Sequence, residues 1–273
     1  MYGKRGYAKR RYAKKSTARR APARRRVGRK TGMSGIKKMV NSMIHRNQEN
    51  KRDYNAGAGT LYAANTFQTV YNQNVVPVIA QTVGQGGRIG NEVTIVKSTL
   101  TIHLWPTPYS TPSPLGNSIT KPQVVRVMII KQKQLAVGAT AITNQSNFFQ
   151  LGSVTTDFAG TLVDTSRDVN LDLFTVKYSR VFKVSQAAPQ STASSPGNFQ
   201  PNNDFKLCQR ITIPLAKMMK KKLKYDDQLN TNRCVNDNCF LVMQAVNFDN
   251  TGPNANQGQV GFEWEQHSIF EDA

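Results

Sequence analysis

Acidic residues are what the front of this chain lacks: none precedes Glu49. Cysteine is scarce, three in 273 residues, so no disulfide framework is indicated and a reducing compartment is expected. No apolar run approaches the ~18–20 residues that a membrane-spanning helix needs, so no membrane insertion is expected. The basic N-terminus has no apolar segment after it, which excludes a secretory signal of the usual form. The G-x-x-x-x-G-K-[ST] pattern of a phosphate-binding loop is absent, and with it the signature of a packaging ATPase. Gly84–Gly90 (GQGGRIG) resembles a dinucleotide loop only in part. Its third glycine would fall at Ile89, and a strand pattern follows where a helix is needed; a glycine-rich turn is the simpler reading. His45, His103 and His267 are scattered, with no nucleophile pattern beside them. The chain is not expected to be an enzyme, and no cofactor is indicated.

Positive charge is there in quantity. The chain carries 37 Lys and Arg against 16 Asp and Glu, a net +21. Residues 1–52 hold nineteen basic residues and one acidic, a net +18, which leaves the other 221 residues at only +3. This is a nearly neutral body with a cationic arm. A pentad recurs at the start: Tyr2-Gly3-Lys4-Arg5-Gly6, Tyr7-Ala8-Lys9-Arg10-Arg11, Tyr12-Ala13-Lys14-Lys15-Ser16. Like charges this dense repel, and almost no aliphatic side chain is present to offset the entropy of ordering, so residues 1–54 are expected to be a disordered arm and hinge. Arg5, Lys9, Arg10, Arg11, Lys14, Lys15, Arg19, Arg20, Arg24, Arg25, Arg26, Arg29 and Lys30 are the candidate phosphate contacts. Tyr2, Tyr7 and Tyr12 are placed to stack on unpaired bases. Arg24, Arg25, Arg26, Arg29 and Lys30 also have the composition of a nuclear import signal; a plain solubilising tail is the bland alternative. Ser34 is a candidate cap for a short helix with Ile36, Met39, Val40, Met43 and Ile44 at helical spacing. Asn55–Gly59 (NAGAG) reads as a break, and the folded domain as 55–273.

The body reads as strands. Leu61–Tyr71 is rich in β-formers, and Val75–Val83 is a second extended piece, placed at an edge by Pro77. Glu92–Trp105 alternates, with a phase change near Lys97-Ser98 that predicts a bulge. The proline-rich stretch 106–116 is a loop. Gln123–Lys131 (QVVRVMIIK) is nearly continuous apolar and predicts a strand buried on both faces. Residues 132–171 are ambiguous, with one weak element around Asn147–Leu151. Leu173–Ser185, Phe205–Leu215, Cys239–Phe248 and Gln259–Phe270 complete the set, with a polar loop at 185–204 and a second basic run, KMMKKKLK, at 217–224. Strands joined by polar loops without βαβ periodicity predict an all-β fold, a single eight-stranded jelly-roll β-sandwich.

Cys208, Cys234 and Cys239, with His103 or His267, are the only candidates for a zinc site. No second paired ligand set accompanies them, so buried free thiols are expected and no metal. Asp226-Asp227 and Glu263/Glu265 are expected to be solvated surface charge.

Gly86-Gly87-Arg88-Ile89-Gly90-Asn91-Glu92-Val93, followed by Leu100 and Ile102, resembles the opening of a jelly-roll strand in capsid proteins of circular, Rep-encoding single-stranded DNA viruses. Val125–Ile130 resembles the next hallmark strand of that group. So do the strand Ile211–Leu215, the segment Lys220–Tyr225, the strand Asn238–Ala245 and the final aromatic strand. With the basic arm, the resemblance covers nearly the whole chain. It implies a small icosahedral shell of about sixty copies, an inward arm that packages a single-stranded DNA genome, and passage through the host nucleus with its import receptors before residence in the virion. It assigns a host receptor to no residue. Two other readings share parts of the pattern: the capsid protein of a small RNA virus, and a cellular nucleic-acid-binding β-sandwich protein. Phosphate contacts alone do not separate DNA from RNA.

Overall fold

The structure is a computed structural model that describes residues 35–40, 50–61, 70–84, 86–107, 123–134, 138–143, 147–184, 208–226, 232–247 and 259–272. The chain divides into two compact units, Met1–Ile44 and His45–Ala273. In the first, residues 35–40 are helical, as the spacing predicts, and all six are exposed. Ser34, Met43 and Ile44 lie outside the described residues. No helix among the described residues is long and apolar enough to cross a membrane.

Among its described residues the second unit has eleven strands: β1 (Asn50–Leu61), β2 (Tyr71–Asn74), β3 (Glu92–Thr107), β4 (Gln123–Gln132), β5 (Phe149–Leu151), β6 (Val154–Thr156), β7 (Phe174–Val184), β8 (Gln209–Ile213), β9 (Lys222–Lys224), β10 (Phe240–Asn247) and β11 (Gln259–Asp272). One sheet has the order β1-β11-β3-β8, with β9 pairing the start of β3; the other has the order β2-β10-β4-β7. All these pairings are antiparallel. The pairs β1/β11, β2/β10, β3/β8 and β4/β7 nest one inside the next, and the contacts β11/β3 and β10/β4 roll this ribbon into two facing sheets. That is the wrapping of an eight-strand jelly roll, the fold expected from the sequence; β5, β6 and β9 are accessory.

The inter-sheet core takes the inward positions of both sheets. Ile95, Leu100, Ile102 and Leu104 of β3 meet Val125, Val127 and Ile129 of β4, with Leu241 and Met243 of β10 and Phe262, Trp264 and Phe270 of β11. A second cluster lies on the other face of the β4 sheet. There Met128, Ile130, Phe240 and Val242 are covered by Ile142, Phe148, Phe149, Phe158 and Val169. The continuous apolar run of β4 is thereby buried on both faces, as predicted. Its cover is drawn from the segment between β4 and β7 that sequence patterning left ambiguous, and the weak element there is the β5/β6 hairpin.

The predicted bulge is present. Ile269 pairs with Lys97 and Phe270 with Ile95, so Val96 is the extra residue. Two sequence expectations are corrected. Asn55–Gly59 is no break: β1 runs through it in unbroken register with β11. Its glycines answer a tertiary demand, since a Cβ on Gly57 would lie 2.6 Å from Trp264 Nε1 and one on Gly59 3.0 Å from the Phe262 ring. Residues 75–80 form no strand either. Val75, Val76 and Ile79 are buried, but past a last cross-strand bond from Val75 N to Cys239 O at 2.7 Å the chain turns off the ladder, with Val76 N donating to Asn74 Oδ1 at 3.0 Å.

Candidate nucleic-acid interface

The candidate contacts of the arm, Tyr2 to Lys30, lie outside the described residues. Geometry begins where that stretch joins the body, at the first residues of β1. Here the sequence reads as more of the same basic arm, but Lys51 is 7% exposed. Its Nζ donates to Asp272 Oδ2 at 2.7 Å and to Gly87 O at 2.8 Å. Asp272 Oδ2 also accepts from Ile89 N at 3.0 Å. One lysine therefore ties the start of β1, the end of β11 and the turn before β3 to one another. Breaking a buried pair of this kind costs more than the pair contributes, so it fixes geometry more than it adds stability.

The turn itself is Gly86-Gly87-Arg88-Ile89-Gly90. A Cβ on Gly87 would fall 1.9 Å from Thr82 Oγ1 and 2.6 Å from Thr82 O, so the backbones approach in a way only glycine allows. Arg88 is 1% exposed. Its Nε donates to Ile79 O at 3.2 Å, and its Nη1 donates to Gly90 O at 2.9 Å and to Asn91 Oδ1 at 3.1 Å. The guanidinium lies 5.0 Å from the Tyr225 ring centroid, and the Tyr225 hydroxyl donates to Pro77 O at 3.1 Å. Arg88 is thus an internal strut, and β3, not a helix, follows the turn.

Beside Lys51 the two faces of β1 differ. Inward lies Asp53, whose buried Oδ2 has no partner among the described residues. Burial pushes its carboxyl up to about 6, against a smaller opposing effect of the Tyr54 backbone hydrogen bond. Outward lie Arg52 and Tyr54. The Tyr54 hydroxyl donates to Glu265 Oε1 at 3.3 Å, its ring stands 5.0 Å from that of His267, and His267 Nε2 is 3.6 Å from Glu265 Oε2.

The zinc candidates do not come together. Among the described residues no three His, Cys, Asp or Glu side chains are placed to hold an ion. Cys234 and Cys239 are buried, while Cys208, also read as a buried thiol, is exposed at the residue before β8. Burial pushes the Cys239 thiol up to about 12 and also raises that of Cys234. Glu263 is exposed and Glu265 half-buried on the outward side of β11, and Asp226 is half-buried; Asp227 lies outside the described residues. Sequence reasoning missed Lys51 and Arg88 as anchors. Nothing marks Lys51 among its basic neighbours, whereas an arginine set between glycines at a strand start is a usable signal for Arg88.

No protein-family model and no curated protein matches the chain. Among solved structures, the empty head of turnip yellow mosaic virus is similar at 10% identity, over 82% of this chain and 82% of that chain, with a TM-score of 0.34. Turnip yellow mosaic virus is similar at 12% identity, over 81% and 93%, with a TM-score of 0.32. A 60-mer of the BFDV capsid protein is similar at 8% identity, over 82% and 94%, with a TM-score of 0.20. Likeness of this degree carries no argument about function; the jelly roll stands on its own strand pairing.

Proposed function

We propose that the chain is the structural capsid protein of a circular single-stranded DNA virus. About sixty copies assemble into a small icosahedral shell. The basic stretch upstream of β1 packages the genome, and Arg24, Arg25, Arg26, Arg29 and Lys30 also address the chain to the host nucleus before it enters the virion. The observation that carries this reading is the joining of two features in one chain. A net +18 through Arg52 runs directly into the edge strand of an eight-strand jelly roll, whose own share of the charge is close to neutral. A near-neutral body of this fold is suited to packing against copies of itself, and the charge suits a polyanion partner. About sixty such stretches would bring on the order of a thousand positive charges together, enough to neutralise much of a small genome.

Electron microscopy of the purified full chain tests the shell, and nuclease digestion of its contents tests the cargo. Shells holding DNase-sensitive single strands are expected. A soluble monomer overturns the capsid reading, and RNase-sensitive contents overturn the DNA assignment. Deleting residues 1–30 is expected to leave the jelly roll folded and the particles empty or unstable. Normal genome content in that deletion refutes packaging by the arm.

A further inference from the structure

The lysine-rich run 217–224 plays no part in the reading above, and the fold gives it a definite form. Leu215, Met219, Leu223 and Tyr225 are buried in the inter-sheet core, while Lys217, Lys220, Lys221, Lys222 and Lys224 are all exposed. The backbone between them is fixed from several sides. Met218 N and Met219 N donate to Leu215 O at 2.8 and 3.1 Å, Ile95 N to Lys221 O at 2.8 Å, and Tyr225 N to Asn91 O at 2.8 Å. Lys220 N donates to Asp237 Oδ2 at 2.6 Å and Lys224 N to Asn236 Oδ1 at 3.0 Å. The five ammonium groups therefore hang from a rigid ledge.

Little negative charge answers them. Glu92 accepts from Lys222 Nζ at 2.6 Å and lies 4.0 Å from Lys224 Nζ. These contacts, the Lys222 hydrogen bond first, hold its carboxyl below the usual value. Asp237 is already engaged by Lys131 Nζ at 2.6 Å and by the Lys220 backbone. Lys217 and Lys221 make no ion pair among the described residues.

The ledge also has a telling position. Asn50, Glu271, Thr94 and Lys222 form one row across β1, β11, β3 and β9. Three strand spacings put the ledge about 14 Å from the start of β1. Arg52, Ile269 and Lys97 form the next outward-facing row, and its two basic residues are exposed.

We propose that Lys217, Lys220, Lys221, Lys222 and Lys224 form a fixed phosphate-binding ridge for the same nucleic-acid strand that the arm holds, an inference that rests on the packaging reading. The ridge presents ammonium groups, which are point charges, and no aromatic side chain. It therefore contacts the phosphate backbone without reading bases. Where the arm supplies bulk charge, the ridge supplies a rigid contact beside the point where the arm leaves the body.

Salt titration of full-chain binding to a single-stranded DNA oligonucleotide tests this. Lys217→Gln/Lys221→Gln/Lys224→Gln is expected to flatten the slope of log K against log salt by about 2, at ~0.7 per phosphate contact. Affinity at about 0.1 M salt is expected to fall by ~10-fold or more. The comparison variant Lys177→Gln/Arg180→Gln/Lys183→Gln removes three exposed charges from β7, at the edge of the other sheet, and is expected to leave the slope unchanged. Thermal melts report folding, which these surface changes should leave within about 0.5 kcal/mol. Equal flattening in both variants, or none in the ridge variant while Arg24→Gln/Arg25→Gln/Arg26→Gln weakens binding, overturns the ridge and leaves the arm intact. Loss in neither the ridge nor the arm variant overturns the packaging reading and the ridge with it.

Discussion

The two sheets of the jelly roll bury different numbers of faces. In the β2-β10-β4-β7 sheet, every residue of β10 and nine of the ten in β4 are buried. In the β1-β11-β3-β8 sheet only the inward face is. Glu263, Glu265, His267 and Ile269 of β11 and Thr99, Thr101 and His103 of β3 point outward and are exposed or half-buried. The difference is written in the strands as continuous apolar sequence against alternation. A sheet apolar on both faces needs a second cover, and the segment between β4 and β7 supplies it. The other sheet leaves its outward face open to water, with the lysines of 217–224 along one end.

The cover is held by a polar latch as well as by phenylalanines. Asp164, with no exposed surface, accepts from Ala159 N and Gly160 N at 2.8 Å each, from Gln244 Nε2 at 2.9 Å and from Arg167 Nη1 at 2.7 Å. Arg126 of β4 donates to the carbonyls of Asp164 and Arg167 at 2.8 Å each. Asp164→Ala strips the partner from four donors at once, the Gly160 N–H and the Gln244 amide among them buried, so a loss of about 3–5 kcal/mol is expected. Thr101→Ala, on the open face of the other sheet, should stay within about 0.5 kcal/mol. Urea unfolding of both variants checks the contrast, and comparable losses would remove the distinction between the sheets.

A smaller effect is expected at the edge of the open sheet. The Trp264 indole donates to the Tyr71 hydroxyl at 2.7 Å, a bond between strands of opposite sheets. Gly57 lets the ring lie flat against β1. Gly57→Ala places a methyl 2.6 Å from Nε1, so the ring must move and the bond to Tyr71 must stretch. A cost of about 1–3 kcal/mol is expected, together with a shift in tryptophan emission. Unchanged emission and stability would mean that the edge strand yields instead, and that β1 is looser than its twelve-residue register implies.

Periodicity made much of this fold legible. The double burial of β4, the alternation of β3 and β11 and the bulge at Val96 follow from local pattern, because successive side chains of a strand point to opposite faces. The misreadings share a different cause. Gly57 and Gly59 look like a chain break because glycine marks turns locally, whereas here it answers aromatic rings that arrive from the far end of the sequence. Arg126, Asp164 and Gln244 are unremarkable separately, and only the roll of the ribbon brings them into contact. At the candidate interface, charge composition pointed to contacts from Tyr2 to Lys30, which lie outside the described residues. It did not separate Lys51, an anchor, from its solvated neighbours, nor show that the lysines of 217–224 are held on a ledge.

The smallest effect concerns the inward faces. That of the β4 sheet is apolar, with Val125, Val127, Ile129, Leu241, Met243 and Ala245. That of the open sheet turns polar toward the start of β1. Ser98 Oγ lies 2.9 Å from Ser268 Oγ, Gln266 Nε2 donates to Ser98 Oγ at 3.3 Å, and Asp53 pairs in register with Ser268. The Asp53 carboxyl sits at about 6 in the folded chain against an ordinary 3.8. The folded state therefore holds this proton more tightly than the unfolded state. Its contribution to stability declines as pH rises from about 4 to about 6, and the full penalty persists above that. Two pH units correspond to about 3 kcal/mol, and partial exposure of the carboxylate reduces this to about 1–2 kcal/mol. Asp53→Asn keeps the shape without the charge. It is expected to gain about 1–2 kcal/mol at pH 7 and to match the parent below pH ~4. Denaturation measured from pH 4 to 8 compares the two. Parallel curves across that range would mean that water reaches the carboxylate, and that the inward side of the open sheet is hydrated at the start of β1.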